Sequence, residues 1–183
     1  MNNMFRRASE FNQPIGDWDV SNVTDMSLMF FDATSFDQPI GNWDVSNVTI
    51  MQGMLGCFDC IEAGTSHTFN QDISGWDVSN VTDMSTLFQA NTNFNQPIGS
   101  WDVSNVTEMR FMFFDAISFD QPIGNWNVSN VTTMQGMLGC FDCIEAGTSH
   151  TFNQDISGWD VSNVTDMSGL FQANAHFNHP IGG

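Results

Sequence analysis

The sequence predicts an α/β repeat solenoid: a right-handed coil with a parallel strand ladder on one face and short helices on the other. Three observations carry this expectation. The phrase WDVSNVTDM begins at Trp18, returns letter for letter at Trp76 and Trp159, and returns with small changes at Trp43, Trp101 and Trp126. The opening FNQPIG, or a close variant, falls at Phe11, Phe36, Phe69, Phe94, Phe119, Phe152 and Phe177, so units of 25 or 33 residues follow one another. Within a unit the apolar spacing changes from three-or-four to alternation. Repeats of about 20–50 residues read as stacked coils, each burying its apolar face only against its neighbours.

One domain is expected over residues 1–183. It comprises a partial coil 1–10, coils beginning at 11, 36, 69, 94, 119 and 152, and a partial coil 177–183. A larger period is laid over the smaller one, because 11–93 and 94–176 are near copies of 83 residues. Neither end carries an obvious polar cap. Uncapped ends imply a segment of a longer array, or end-to-end self-association.

The helix is expected where Val23, Met26, Met29, Phe30 and Ala33 follow at intervals of three or four. Thr24 or Asn22 would cap it, and Asp25 suits its N-terminal dipole. The Pro and Gly of DQPIGN then break it. Trp43 and Val45 alternate about Asp44, the period-two mark of a short strand with Trp and Val inward.

Composition removes whole classes of function. The chain has 3 Lys plus Arg (Arg6, Arg7 and Arg110) against 21 Asp plus Glu, a formal charge of −18. Such a chain repels a phosphate backbone, which excludes nucleic acid, and it favours cations and basic partners. No apolar run of about 18 residues is present, so no membrane insertion is expected. The first ten residues lack the apolar stretch of a secretory signal.

The run from Phe11 to Phe30, FNQPIGDWDVSNVTDMSLMF, resembles the leucine-rich-repeat solenoids. More closely it resembles the bacterial surface-protein repeats of about 25 residues called BspA-like. Its returns extend the resemblance over essentially the whole chain. The resemblance implies a secreted or cell-surface adhesion or recognition module with a protein or other cell-surface ligand and no catalysis.

Read column by column, the six tryptophans are expected to pack in the core rather than to form a sugar platform. Asn22, Asn47, Asn80, Asn105, Asn130 and Asn163 each open an Asn-Val-Thr sequon. Stacked in register they are expected to form a buried hydrogen-bond ladder, not glycosylation sites. The column Asp19, Asp44, Asp77, Asp102, Asn127 and Asp160 should face outward. Like charges about 4.8 Å apart repel by about 1 kcal/mol per pair even at water-like dielectric. Packing does not demand that repulsion, so the column is the candidate binding face, for a basic partner or calcium. A solvated acidic face is the plain alternative.

The two eight-residue insertions each carry a Cys-x-x-Cys and a later histidine: Cys57, Cys60 and His67, then Cys140, Cys143 and His150. Met51, Met54, Leu55, Phe58 and Ile61 predict a lengthened helix ending near Gly64. The two copies lie three coils, roughly 14 Å, apart, too far to share one zinc. Each copy alone leaves three states open: a local disulfide, free thiols, or a Cys-Cys-His zinc site. The surface-protein resemblance implies an oxidising exterior and favours the disulfide. No cofactor is otherwise expected. No histidine has an obvious nucleophile beside it, and the equivalence of the acids between coils argues against one tuned for acid–base work. The expectation is a non-enzymatic recognition module. Its rivals are a purely structural spacer and a metal or redox module built on the cysteines.

Overall fold

A computed structural model describes residues 1–58, 60, 65–141, 143 and 147–181 of the chain. The units stack directly on one another, but not as the predicted α/β solenoid. Among the described residues there is no sheet: strand pairing is confined to isolated parallel bridges running Asp25, Ile50, Asp83, Glu108, Thr133, Asp166. Cys60 is the one helical residue among those described. Among the described residues the leucine-rich-repeat-like ladder and the opposing short helices are therefore absent. Among the described residues no helix is long and apolar enough to cross a membrane.

The reason lies in where the backbone N–H groups go. In an α-helix every one bonds four residues back. Here they alternate. Met26, Leu28, Phe30 and Asp32 donate to Ile50, Gln52, Met54 and Gly56 of the next unit at 2.8–3.0 Å. Met29, Phe31 and Ala33 instead close turns onto Met26, Leu28 and Phe30. The same alternation runs through Met51–Cys57, Met84–Asn91 and Met109–Ala116. It requires a left-handed residue at every fourth position, and Leu28 and Asp32 (φ 55° and 59°), Thr86 and Ala90, and Phe111 and Asp115 supply it. Consecutive turns thus reproduce the three-and-four apolar spacing of a helix while half their donors tie rung to rung.

The strand expected at Trp-Asp-Val does not form either. Trp43 N–H bonds Ile40 O and Val48 N–H bonds Val45 O, so turns flank the triplet on both sides. Its in–out–in pattern is real nonetheless: Trp43 and Val45 are buried and Asp44 is exposed. Pairing between units occurs six residues later, at the Thr column, where Thr49, Thr82, Thr107, Thr132 and Thr165 each donate N–H and Oγ1–H to the carbonyl of the preceding threonine.

One continuous core runs from Ile15 to Leu170. Its spine is a column of phenylalanines, Phe36, Phe69, Phe94, Phe119 and Phe152, with ring centroids 6.1–6.5 Å apart. Each buried indole is also held by its polar edge. Trp43, Trp76, Trp101, Trp126 and Trp159 donate Nε1–H to Ile15, Ile40, Ile73, Ile98 and Ile123 of the unit before, at 3.1–3.2 Å. A Trp is therefore both filler and a cross-unit strut. Trp18, in the first rung, is 37 % exposed.

Candidate functional site

The acidic column occupies a row of tight turns on the outside of the stack. Asp44 Oδ1 accepts Ser46 N–H at 3.1 Å and Ser46 Oγ–H at 2.6 Å. Asp19 and Asp77 bind Ser21 and Ser79 in the same way, and Asp102 and Asp160 accept the N–H of Ser104 and Ser162. These are Asx turns, in which a side-chain oxygen stands in for a backbone acceptor. Bonds from the following serine, side chain first and backbone second, hold the Asp19, Asp44, Asp102 and Asp160 carboxyls below the usual carboxylate range. All six column residues are exposed.

Asn127 is the internal control. Its Oδ1 accepts Ser129 N–H at 3.2 Å and Oγ–H at 2.7 Å, matching Asp44. The turn needs an acceptor oxygen, and a neutral amide supplies it. The charge at the other five positions is therefore surplus to the turn.

The asparagine ladder forms, with a difference from expectation. Asn47, Asn80, Asn105, Asn130 and Asn163 donate Nδ2–H to the serine carbonyl of the preceding unit at 2.7–2.8 Å. These asparagines are exposed rather than buried, so the ladder lies on the surface beside the acidic column.

Over the described start of each insertion, Met54 N–H and Gly56 N–H close turns onto Met51 O and Gly53 O, and Met137 and Gly139 repeat this, where a longer helix was predicted. Cys57–Cys60 and Cys140–Cys143 are disulfide-bonded. Phe58 and Phe141 project outward, 61 % and 65 % exposed; Ile61 and Gly64 lie outside the described residues. The histidines do not join the cysteines. His67 is fully buried, with Nε2–H donating to Phe30 O at 3.2 Å and Nδ1 accepting Phe69 N–H at 3.3 Å. His150 repeats both contacts with Phe113 and Phe152. Burial holds both imidazoles neutral, with pKa lowered to about 4. The third donor within 4.8 Å of each sulfur pair is a buried carboxylate, Asp32 or Asp115.

A groove of about 940 Å³ runs along the turn segments, and Arg6, Arg7 and Arg110, the three cationic side chains of the sequence, all line it. They fall one, five or six places after the methionine that starts each turn segment, as do Gln52, Gln89, Gln135 and Gln172. These columns vary from rung to rung while the Trp and Met columns do not. That contrast was the available signal.

A protein family described as "Mycoplasma protein of unknown function, DUF285" matches residues 1–63 and 144–183, more than half of the chain. No curated protein and no solved structure matches it.

Proposed function

The chain belongs to the DUF285 family, and on that premise we propose that it is a non-enzymatic surface recognition or adhesion module whose acidic column engages a basic partner. The carrying observation is Asn127. It satisfies its turn without charge, so the mutual repulsion of the aspartates serves something other than the fold. Regular spacing supports the same reading: the column places one like-oriented group on each rung, and the asparagine ladder holds adjacent rungs in register. The BspA-like character of the repeat supports placement at the cell surface, and two local disulfides suit an oxidising exterior.

The test is the triple variant Asp44→Asn/Asp77→Asn/Asp102→Asn. Asn127 predicts that it keeps the fold and its thermal midpoint. Titrated with basic peptides and with calcium, the parent should bind one of them, and the variant should lose at least about tenfold in affinity. Equal binding by parent and variant, or no binding by the parent, leaves the column as a solvated face and the chain as a spacer.

A further inference from the structure

We infer that the groove along the turn segments is a second binding site, and that it takes an extended acidic peptide carrying apolar side chains four residues apart. The site is independent of the acidic column.

Charge complementarity is the first argument. Of the 17 acids among the described residues none lines the groove, while all three arginines do. Chance placement would scatter them. Arg7 Nε lies 3.6 Å from buried Asp32 while its side chain stays largely exposed, and Arg6 and Arg110 are the cations of the groove not paired with an acid among the described residues. Arg6 sits over the Phe31 ring at 5.8 Å, and Arg110 is exposed with no ion pair among the described residues. A net charge of −18 repels a second copy and nucleic acid at long range. A short acidic segment feels the same repulsion, but screening over about 8 Å at physiological salt leaves the groove's arginines as the charges it meets at contact.

The second argument is the doubled floor. In the third and sixth rungs the left-handed position is Gly53 and Gly136, each at φ 60°. A Cβ on Gly53 would lie 2.7 Å from Leu28 and 3.0 Å from Phe31, and one on Gly136 would lie 2.5 Å from Phe111. The missing side chains let Leu28 and Phe31, and then Phe111 and Phe114, lean over the backbone, the last pair edge to face at 5.2 Å. Exposed Phe58 and Phe141 stand beside the two copies. The groove therefore holds two apolar subsites one 83-residue period, or three rungs, apart.

Three rungs are roughly 14 Å, which an extended peptide covers in about four residues. Residues i and i+4 of a strand point to one side, so two anchors on one peptide face can fill both subsites. The full run from Arg6 to Gln172, six rung steps, matches about nine residues. Partly or fully exposed glutamine amides at 52, 135 and 172 offer paired donors and acceptors along that path. Regular amide pairing suits a peptide backbone better than an acidic oligosaccharide.

A display library of random peptides of about twelve residues, panned against the full chain, tests this. Enriched sequences should be net negative with aromatic or aliphatic residues four apart. Synthesised and measured by fluorescence anisotropy, they should weaken at least about tenfold in an Arg6→Gln/Arg110→Gln variant and at high salt. They should bind the Asp44→Asn/Asp77→Asn/Asp102→Asn variant as tightly as the parent. Enrichment of basic or uncharged sequences, affinity unaffected by the arginine changes, displacement by oligogalacturonate at comparable affinity, or no enrichment over the arginine variant would each overturn the proposal. Basic peptides sensitive to the Asp variant alone would sink the groove and leave the acidic-column reading standing.

Discussion

His67 and His150 look like metal ligands in the sequence and are structural in the fold, and their burial has a consequence in solution. Each imidazole is neutral, fixed as the Nε2–H tautomer by a carbonyl on one nitrogen and an amide on the other. Their folded pKa values, about 4, lie below the ordinary 6.5. Between those values the unfolded chain binds protons that the folded chain refuses, so stability is full above pH 6.5 and falls as pH drops toward 4. At about 1.4 kcal/mol per pKa unit the loss reaches roughly 3 kcal/mol per histidine. The lowered aspartates of the acidic column act in a separate window, losing their contribution only as pH falls below 3.8. Urea midpoints measured at steps from pH 7.5 to 4 should therefore slide through the histidine window. A His67→Gln/His150→Gln variant should start less stable and stay nearly flat there; an equal slope in parent and variant would contradict the burial argument. Why the histidines misled is plain. Seven residues from a Cys-x-x-Cys is a chain distance, and only the fold shows that each ring points into the core toward the preceding phenylalanine carbonyl.

At the scale of the element, the sequence disclosed which side chains are inside but not the backbone that puts them there. Trp43 in, Asp44 out and Val45 in is a pattern that an extended triplet between two turns satisfies as well as a strand does. Met26, Met29, Phe30 and Ala33 are buried together, as a helix would require, yet they sit on consecutive turns. The distinguishing mark is the left-handed residue. Only some rungs show it as glycine, at Gly53, Gly136 and Gly169, while others hide it behind Leu28, Thr86 and Phe111, which the usual reading assigns to helix. That difference makes a prediction. Gly136→Ala must adopt φ 60° with a Cβ pressed against the Phe111 ring, so it should cost about 1–3 kcal/mol by chemical denaturation. Gly75→Ala, with nothing within 4 Å, should be near neutral. Were position 136 part of a helix, alanine would instead stabilise it by up to about 1 kcal/mol.

The whole molecule is a stack whose stability comes from neighbours. Backbone bonds, indole struts, the asparagine and threonine ladders and the phenylalanine spine all cross from one unit to the next. The period of the sequence made that stacking legible, because equal residues at fixed spacing become columns whatever the local backbone. The groove was legible only as a set of variable columns beside invariant Trp and Met, because which side of each turn those columns face is not encoded in any periodicity. Unit-on-unit stacking is also what makes the acidic column a row and the groove continuous, so both proposals depend on it. Paired cysteines at the exposed position before each tryptophan test it directly. A disulfide needs Cα atoms about 4.4–6.8 Å apart, and adjacent rungs at about 4.8 Å meet this whereas rungs two apart, near 10 Å, do not. Ser100→Cys with Asn125→Cys should therefore close rapidly under mild oxidation, and Asn42→Cys with Ser100→Cys, two rungs apart, should stay as thiols. Equal closure of both pairs, or closure of the distant pair alone, would contradict the stack.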